Sequence, residues 1–220
     1  MPIINTEIFK KTFTTTPIEI SPPIYGLCRE LNPNNKPIWV ATRPDPDAIV
    51  SECFGNVASK VARGGGSLLF GWTIWEWPRV FIEAEHHAVW ENNGELLDIT
   101  PHASGERRIL FLPDPGRTYD FEDKKRIINV KRSLGTFASV NRWIDTSDTL
   151  QRTMEANSVG NEIRMNRSRL KALWEDTRNA QAQIIVDLAS STKVNAPCFC
   201  GSGKKFKKCC APLVDLSRHR

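Results

Sequence analysis

Four of the six cysteines crowd into thirteen positions, in the run Cys198-Phe199-Cys200-Gly201-Ser202-Gly203-Lys204-Lys205-Phe206-Lys207-Lys208-Cys209-Cys210. That crowding constrains the chain more than any other feature. Four thiolates form a soft S₄ set, which suits tetrahedral Zn²⁺ at about 2.3 Å per Zn–S bond. Two ligand pairs separated by eight residues let the chain loop around an ion and return. Gly201 and Gly203 let the backbone curl closely, and turned amides can donate to metal-bound sulfurs. Lys204, Lys205, Lys207 and Lys208 offset the net negative charge of such a centre. The alternative is a disulfide-linked tail, but six cysteines in 220 residues are too sparse for a disulfide scaffold.

The same run, C-x-C-x₈-C-C with an internal Gly-Ser-Gly-Lys-Lys-Phe, resembles the SEC-C motif. That motif is the small zinc knuckle ending the preprotein translocase ATPase and many unrelated bacterial proteins. The resemblance covers about residues 196–212. It implies Zn²⁺ held by Cys198, Cys200, Cys209 and Cys210, in a module that docks to a protein or ribosomal partner rather than catalysing a reaction. The charge pattern accompanies it: Lys193 to Arg220 carries +6, against a whole-chain charge of +5. Nonspecific RNA contact is a further expectation, with steep salt dependence as its signature. Phe199 and Phe206 are too few for a base-stacking platform. The G-x-x-x-x-G-K-[ST] spacing of a phosphate loop is absent, so nucleotide binding is not expected.

Elsewhere the composition, 40% hydrophobic and 25% charged, supports a real core. No run approaches the ~18–20 apolar residues of a bilayer span, and the N-terminus lacks a charged-then-apolar signal, so a reducing, cytoplasmic location is expected. The expected class is α+β: an antiparallel sheet with a packed helix, a helical connector and a small zinc knuckle. The boundaries expected are 1–145 for the main domain, 146–192 for the connector and 193–220 for the knuckle. Prolines at 17, 22, 23, 33, 37, 44 and 46 make residues 1 to about 45 read as irregular, apart from a short strand at 37–42. A helix is expected from Asp47 or Ser51 to Arg63, with Ile49, Cys53, Val57 and Val61 on one stripe. Strands follow at 67–77, 79–90, 95–100 and around 109–112. Residues 147–190 predict one or two amphipathic helices with Ile163, Leu170, Leu173 and Trp174 as the apolar stripe.

Asn93-Gly94 between two strand patterns is a strong hairpin signal. With those residues as the turn, Asn92 pairs with Glu95, Trp90 with Leu97, Val89 with Asp98 and His87 with Thr100. His87 and Asp98 are then diagonal neighbours on one face, while His86 joins Ile82, Ala84, Ala88 and Trp90 on the other. A carboxylate on His87 would fix its tautomer and stabilise its charged form, as thiol activation requires. Cys53, near the start of the expected helix, is the thiol candidate, because helix N-termini and imidazolium groups favour thiolates.

This order of Cys on a helix and His and Asp on successive strands resembles the papain-like and transglutaminase-like thiol enzymes over about residues 45–101. His87-Ala88-Val89-Trp90 and Asp98-Ile99-Thr100-Pro101 match that group's H-A-x-W and D-x-T positions. The resemblance implies Cys53 as nucleophile, His87 as base and Asp98 as orienting carboxylate in an acyl transfer. Asn56 or the Cys53 N–H is the oxyanion donor on offer, since no Gln precedes Cys53. The alternative makes Cys53 a small core hydrophobe and the whole chain a noncatalytic zinc-tailed adaptor. The Trp72–Trp77 run reads first as core and second as a cleft wall. Glu83 and Glu85 share the His87 face, and His102 is a spare candidate.

Overall fold

In the computed structural model, residues 3–160 and 162–216 are described, so Arg218 and Arg220 of the basic tail lie outside the described residues. The elements in chain order are β1 (Ile3–Ile4), α1 (Pro22–Leu31), β2 (Ile38–Thr42), α2 (Cys53–Gly64), β3 (Ser67–Trp77), β4 (Phe81–Asn92), β5 (Glu95–Asp98), β6 (Arg108–Pro113), β7 (Val130–Ser133), α3 (Ala138–Ala156), β8 (Ser158–Val159), β9 (Glu162–Ile163), α4 (Arg167–Ser191) and β10 (Val214–Asp215). The proline-rich start is therefore not wholly irregular. Pro22 and Pro23 occupy the first turn of α1, where a missing N–H costs nothing. Periodicity counted them as breakers, whereas position makes them helix starters.

The strands run β3-β6-β2-β5-β4-β7, and a further β3–β4 pairing closes the first five into a small barrel. Most ladders are antiparallel, but β2 and β5 run parallel, with Thr42 opposite Asp98. Alternation sorts the side chains. Val40, Val89, Ile109 and Phe111 fill the barrel with Leu69, Trp75 and Leu96. Gly71, opposite His87, is required there: a Cβ would meet the Leu112 carbonyl oxygen at 2.3 Å and the Phe111 ring at 2.4 Å. On the outer surface, α1 places Ile24, Leu27 and Cys28 over Trp72, Ile74, Ile82 and Ala84. The α2 helix places Cys53, Phe54 and Val57 over Ala88 and Ile99. Trp72 and Trp77 are buried, as the core reading of that run expects.

The stripe expected in the connector is displaced. Ser158–Val159 pairs with Glu162–Ile163 as β8 and β9 between α3 and α4, and Trp174 is 53% exposed. The buried stripe of α4 lies further along, at Ala180, Ile184, Ile185, Val186, Leu188 and Ala189. Ile184, Ile185, Leu188 and Ala189 belong to a core that also contains Ile8, Phe13, Trp77, Phe81 and Val140 together with Cys198, Phe199, Cys200, Phe206 and Cys210. That core crosses residue 145 and residue 192 alike. Trp77 Nε1 donates to the Phe199 carbonyl at 3.3 Å, Phe13 stacks on Trp77 with ring centres 4.4 Å apart, and β1 pairs with β10. Among the described residues no helix is long and apolar enough to cross a membrane.

Candidate active site and metal centre

The Asn93-Gly94 turn sets the hairpin register, with Asn92 opposite Glu95 and Trp90 opposite Leu97. There the ladder stops. The expected pairs Val89–Asp98 and His87–Thr100 do not form, because β5 leaves β4 and continues against β2. The strands splay just where His87 sits, and the space is taken by side chains. His87 Nε2 lies 3.2 Å from Asp98 Oδ1, with both residues buried. Asp98 Oδ1 also accepts from the Thr100 N–H at 3.1 Å. Its Oδ2 accepts from His102 at 2.5 Å and from Thr42 Oγ1 at 3.4 Å.

The thiol comes from the other side. Helix α2 begins at Cys53, later than the periodicity suggests, because residues 47–52 form a loop held by Asn56. The Asn56 amide accepts from Ile49 N at 2.9 Å, and donates to Ile49 O at 2.8 Å and to Thr100 Oγ1 at 3.2 Å. Asn56 is thus fully engaged and is not free to serve an oxyanion. Ile49, expected on the buried stripe, is 65% exposed. Ser51 has a φ of 65°, a left-handed backbone that a non-glycine residue adopts only under constraint. Glu52 makes no side-chain cap, so the first-turn N–H groups, Cys53 among them, carry the free-donor character of a helix N-terminus.

Cys53 stands beside His87, and its charge acts on the imidazole. With Nε2 on Asp98, Nδ1 is the ring atom left for the thiol. Burial alone would lower the His87 pKa, yet the charge of Cys53 and the hydrogen bond to Asp98 raise it well above 6.5. Burial would raise Asp98, but hydrogen bonds from His102 and His87 hold it well below the ordinary carboxylate range. Neighbouring His86 behaves oppositely: burial among the Phe54, Phe70 and Trp72 rings lowers its pKa. Its Nε2 meets the Arg117 carbonyl at 2.6 Å, so Nε2 carries the proton, while buried Nδ1 has no partner. Glu85 accepts from Trp75 Nε1 at 2.6 Å, and Glu83 accepts from Asn129. Cys53 opens onto a groove of about 510 Å³, walled by Phe54, His86, Tyr119, Arg126 and Met154 among others. The remaining cysteine, Cys28, lies in the core under α1, where burial pushes its thiol up to about 12.

The second cysteine site is a cluster of four. The sulfurs of Cys198, Cys200, Cys209 and Cys210 lie within 4.8 Å of one another, with Cys200 3.5 Å from Cys198 and 3.4 Å from Cys209. Four sulfurs around a zinc ion at 2.3 Å stand about 3.8 Å apart, so the set fits such an ion with little adjustment. All six cysteines are free thiols in this structure. Cys209 has two further partners, one of them from outside the run. Lys11 Nζ reaches Cys209 Sγ at 3.6 Å, and Ser202 Oγ lies 3.2 Å from the same sulfur. Burial opposes it, but hydrogen bonds from Ser202 and the neighbouring cysteines and the Lys11 charge bring Cys209 down to about 7. Lys204, Lys205, Lys207 and Lys208 are all exposed. His87, Asp98 and His102 also cluster within 4.8 Å, but both imidazole Nε2 atoms are engaged by Asp98 and the set closes on its own hydrogen bonds.

Comparison with protein families decides what the C-terminal cluster is. Residues 195–212 match the family model of the SEC-C motif. The match takes in all four clustered cysteines and the glycine–lysine loop between them, and it stops short of the barrel. No curated protein and no solved structure shows significant similarity to the chain. The SEC-C motif here is no free appendage: Phe199 and Phe206 are buried in the core shared with α3 and α4.

Proposed function

We propose that the chain is a thiol-dependent acyl-transfer enzyme of papain/transglutaminase-like design, carrying a zinc-bound SEC-C knuckle. The observation that supports it is the relay from Cys53 at the first turn of α2, through buried His87, to Asp98. His87 Nδ1 takes the thiol proton as sulfur attacks an acyl carbonyl carbon, and Asp98 holds the resulting imidazolium. First-turn N–H groups of α2 face the oxyanion that forms. As the intermediate collapses, the carbon–leaving-group bond breaks and His87 returns the proton to the departing amine. Water or a second amine then cleaves the thioester and releases Cys53. The groove beside Cys53 receives the acyl chain. The four knuckle thiolates would hold Zn²⁺, which supplies a structural cross-link, and the exposed lysines offer a basic surface for an acidic protein or ribosomal partner.

The test is alkylation of the zinc-loaded protein with a small iodoacetamide probe at pH 6.5, mapped by peptide mass spectrometry. Selective labelling of Cys53, lost in His87→Ala and in Asp98→Asn, is the expected result. Cys53 packs against Ala88 and Ile99, which is what a noncatalytic adaptor would also show. A Cys53 that reacts only on unfolding would assign it to the core and leave the adaptor reading.

A further inference from the structure

The Cys53–His87–Asp98 relay ends on a residue that the acyl-transfer scheme does not use. Asp98 is fully buried, and its two oxygens are served differently. Oδ1 has His87 and the Thr100 N–H, at 3.2 and 3.1 Å. Oδ2 has His102 at 2.5 Å and otherwise only Thr42 at 3.4 Å, near the limit of a useful hydrogen bond. His102 is itself fixed. It stands edge-on to Trp75, ring centres 5.2 Å apart at 72°, and Trp75 is in turn anchored through Nε1 on Glu85. The His102 ring lies 5.9 Å from that of His87. On its far side it lines a separate recess of about 530 Å³ with Arg43, Glu106 and Arg107. A buried carboxylate with one oxygen underserved would turn toward other donors, and His87 would lose the acceptor that sets its tautomer.

We infer that His102 is a positioning residue of the proposed thiol site, holding Asp98 Oδ2 so that Oδ1 stays on His87. The inference rests on Cys53 being the nucleophile. His102 does not line the groove that Cys53 opens onto, and its hydrogen bond toward the thiol site is the one to Asp98. The ionisable groups around the thiol are His87, His86 and Glu85 from β4, Glu52 beside it, Tyr119, Lys124 and Arg126 from the loop after β6, Glu155 from α3 and Glu162 from β9. All of these groups remain in the chain when His102 is replaced, so only the hold on Asp98 and His87 is altered.

The experiment follows the rate of Cys53 alkylation from pH 5.5 to 9.5 in the full-length zinc-loaded protein, with thermal unfolding as the fold control. His102→Ala and His102→Leu are expected to lower labelling at pH 6.5 by about tenfold, and their profiles to move toward that of a plain thiol. His102→Gln, whose amide can donate to Oδ2, is expected to keep the wild-type profile within about threefold. Deletion variants that fold and keep the wild-type profile overturn the inference. So does a His102→Gln protein as impaired as the deletions, which would give the imidazole some other role. If either deletion fails to fold, the other one and His102→Gln decide. The parent reading fails separately, when wild-type Cys53 is inert at pH 6.5 and indifferent to His87→Ala. Labelling that needs His87 but ignores His102 removes only the inference drawn here.

Discussion

Around Cys210, four sulfurs gather from thirteen consecutive residues. Around His87, the partners come from the start of α2, from β4, from the end of β5 and from the loop beyond it, residues 53 to 102. In the first region the ligand geometry is a property of one short turn and whatever ion it holds. In the second it is a property of the barrel, which brings Asp98 beside His87 only because β5 abandons β4 for β2. A local site announces itself in spacing, and a dispersed one is held by packing. The two also differ in how damage spreads. The cysteine cluster is inside a core shared with α3, α4 and β4, whereas the His87 network is lodged within the barrel.

The largest expected effect tests that contrast directly. Removing the metal with a strong chelator, or Cys210→Ser, should lower the unfolding midpoint of the whole chain by about 10 °C or more. Calorimetry would break the comparison if it showed two transitions with the main one unmoved. Next, Trp77→Ala should cost about 3–5 kcal/mol in denaturant unfolding, since the ring is buried against Phe13 and its Nε1 serves Phe199. The same variant should lose metal to a competing chelator more readily, which links the two ends of that core.

A smaller effect separates the barrel site by pH. The folded pKa of His87 is raised, so its ionic contribution is present below the ordinary value of 6.5 and is lost as pH rises through the raised value. The stability gap between wild type and His87→Phe should therefore be widest below pH 6.5 and narrow at higher pH, as read from urea midpoints at each pH. A gap that widens with pH would reverse the assignment. Smallest of all, Lys11→Ala should weaken metal retention by about tenfold, while Lys204→Ala leaves it unchanged, as measured by chelator competition.

The residues themselves show where sequence was enough. C-x-C-x₈-C-C names its four sulfurs without knowledge of the rest of the chain, and Asn93-Gly94 fixes the register at Trp90–Leu97. Past Leu97 the hairpin pattern continues in the sequence but not in space, since the competing strand, β2, lies more than fifty positions upstream. Ile49 fits a helical stripe by spacing, yet the Asn56 amide binds its backbone and keeps that stretch a loop. Pro22 and Pro23 look like breaks until α1 places them in a first turn. Lys11 and His102 carry no local pattern at all. Lys11 matters through one long-range contact, with Cys209, whereas His102 acts on Asp98 four residues back and is oriented by distant Trp75.

The pairing of Ile3–Ile4 with Val214–Asp215 has a consequence in time. During synthesis β1 emerges long before its partner β10. The barrel, closed by residue 113, can assemble during synthesis, but the core holding Ile8 and Phe13 must wait for Phe199 and Phe206. Contacts so distant in sequence form late and slowly. Metal capture by the cysteine loop would thus coincide with the closing of that core, and a newborn chain starved of metal would stall with Ile8 and Phe13 still waiting.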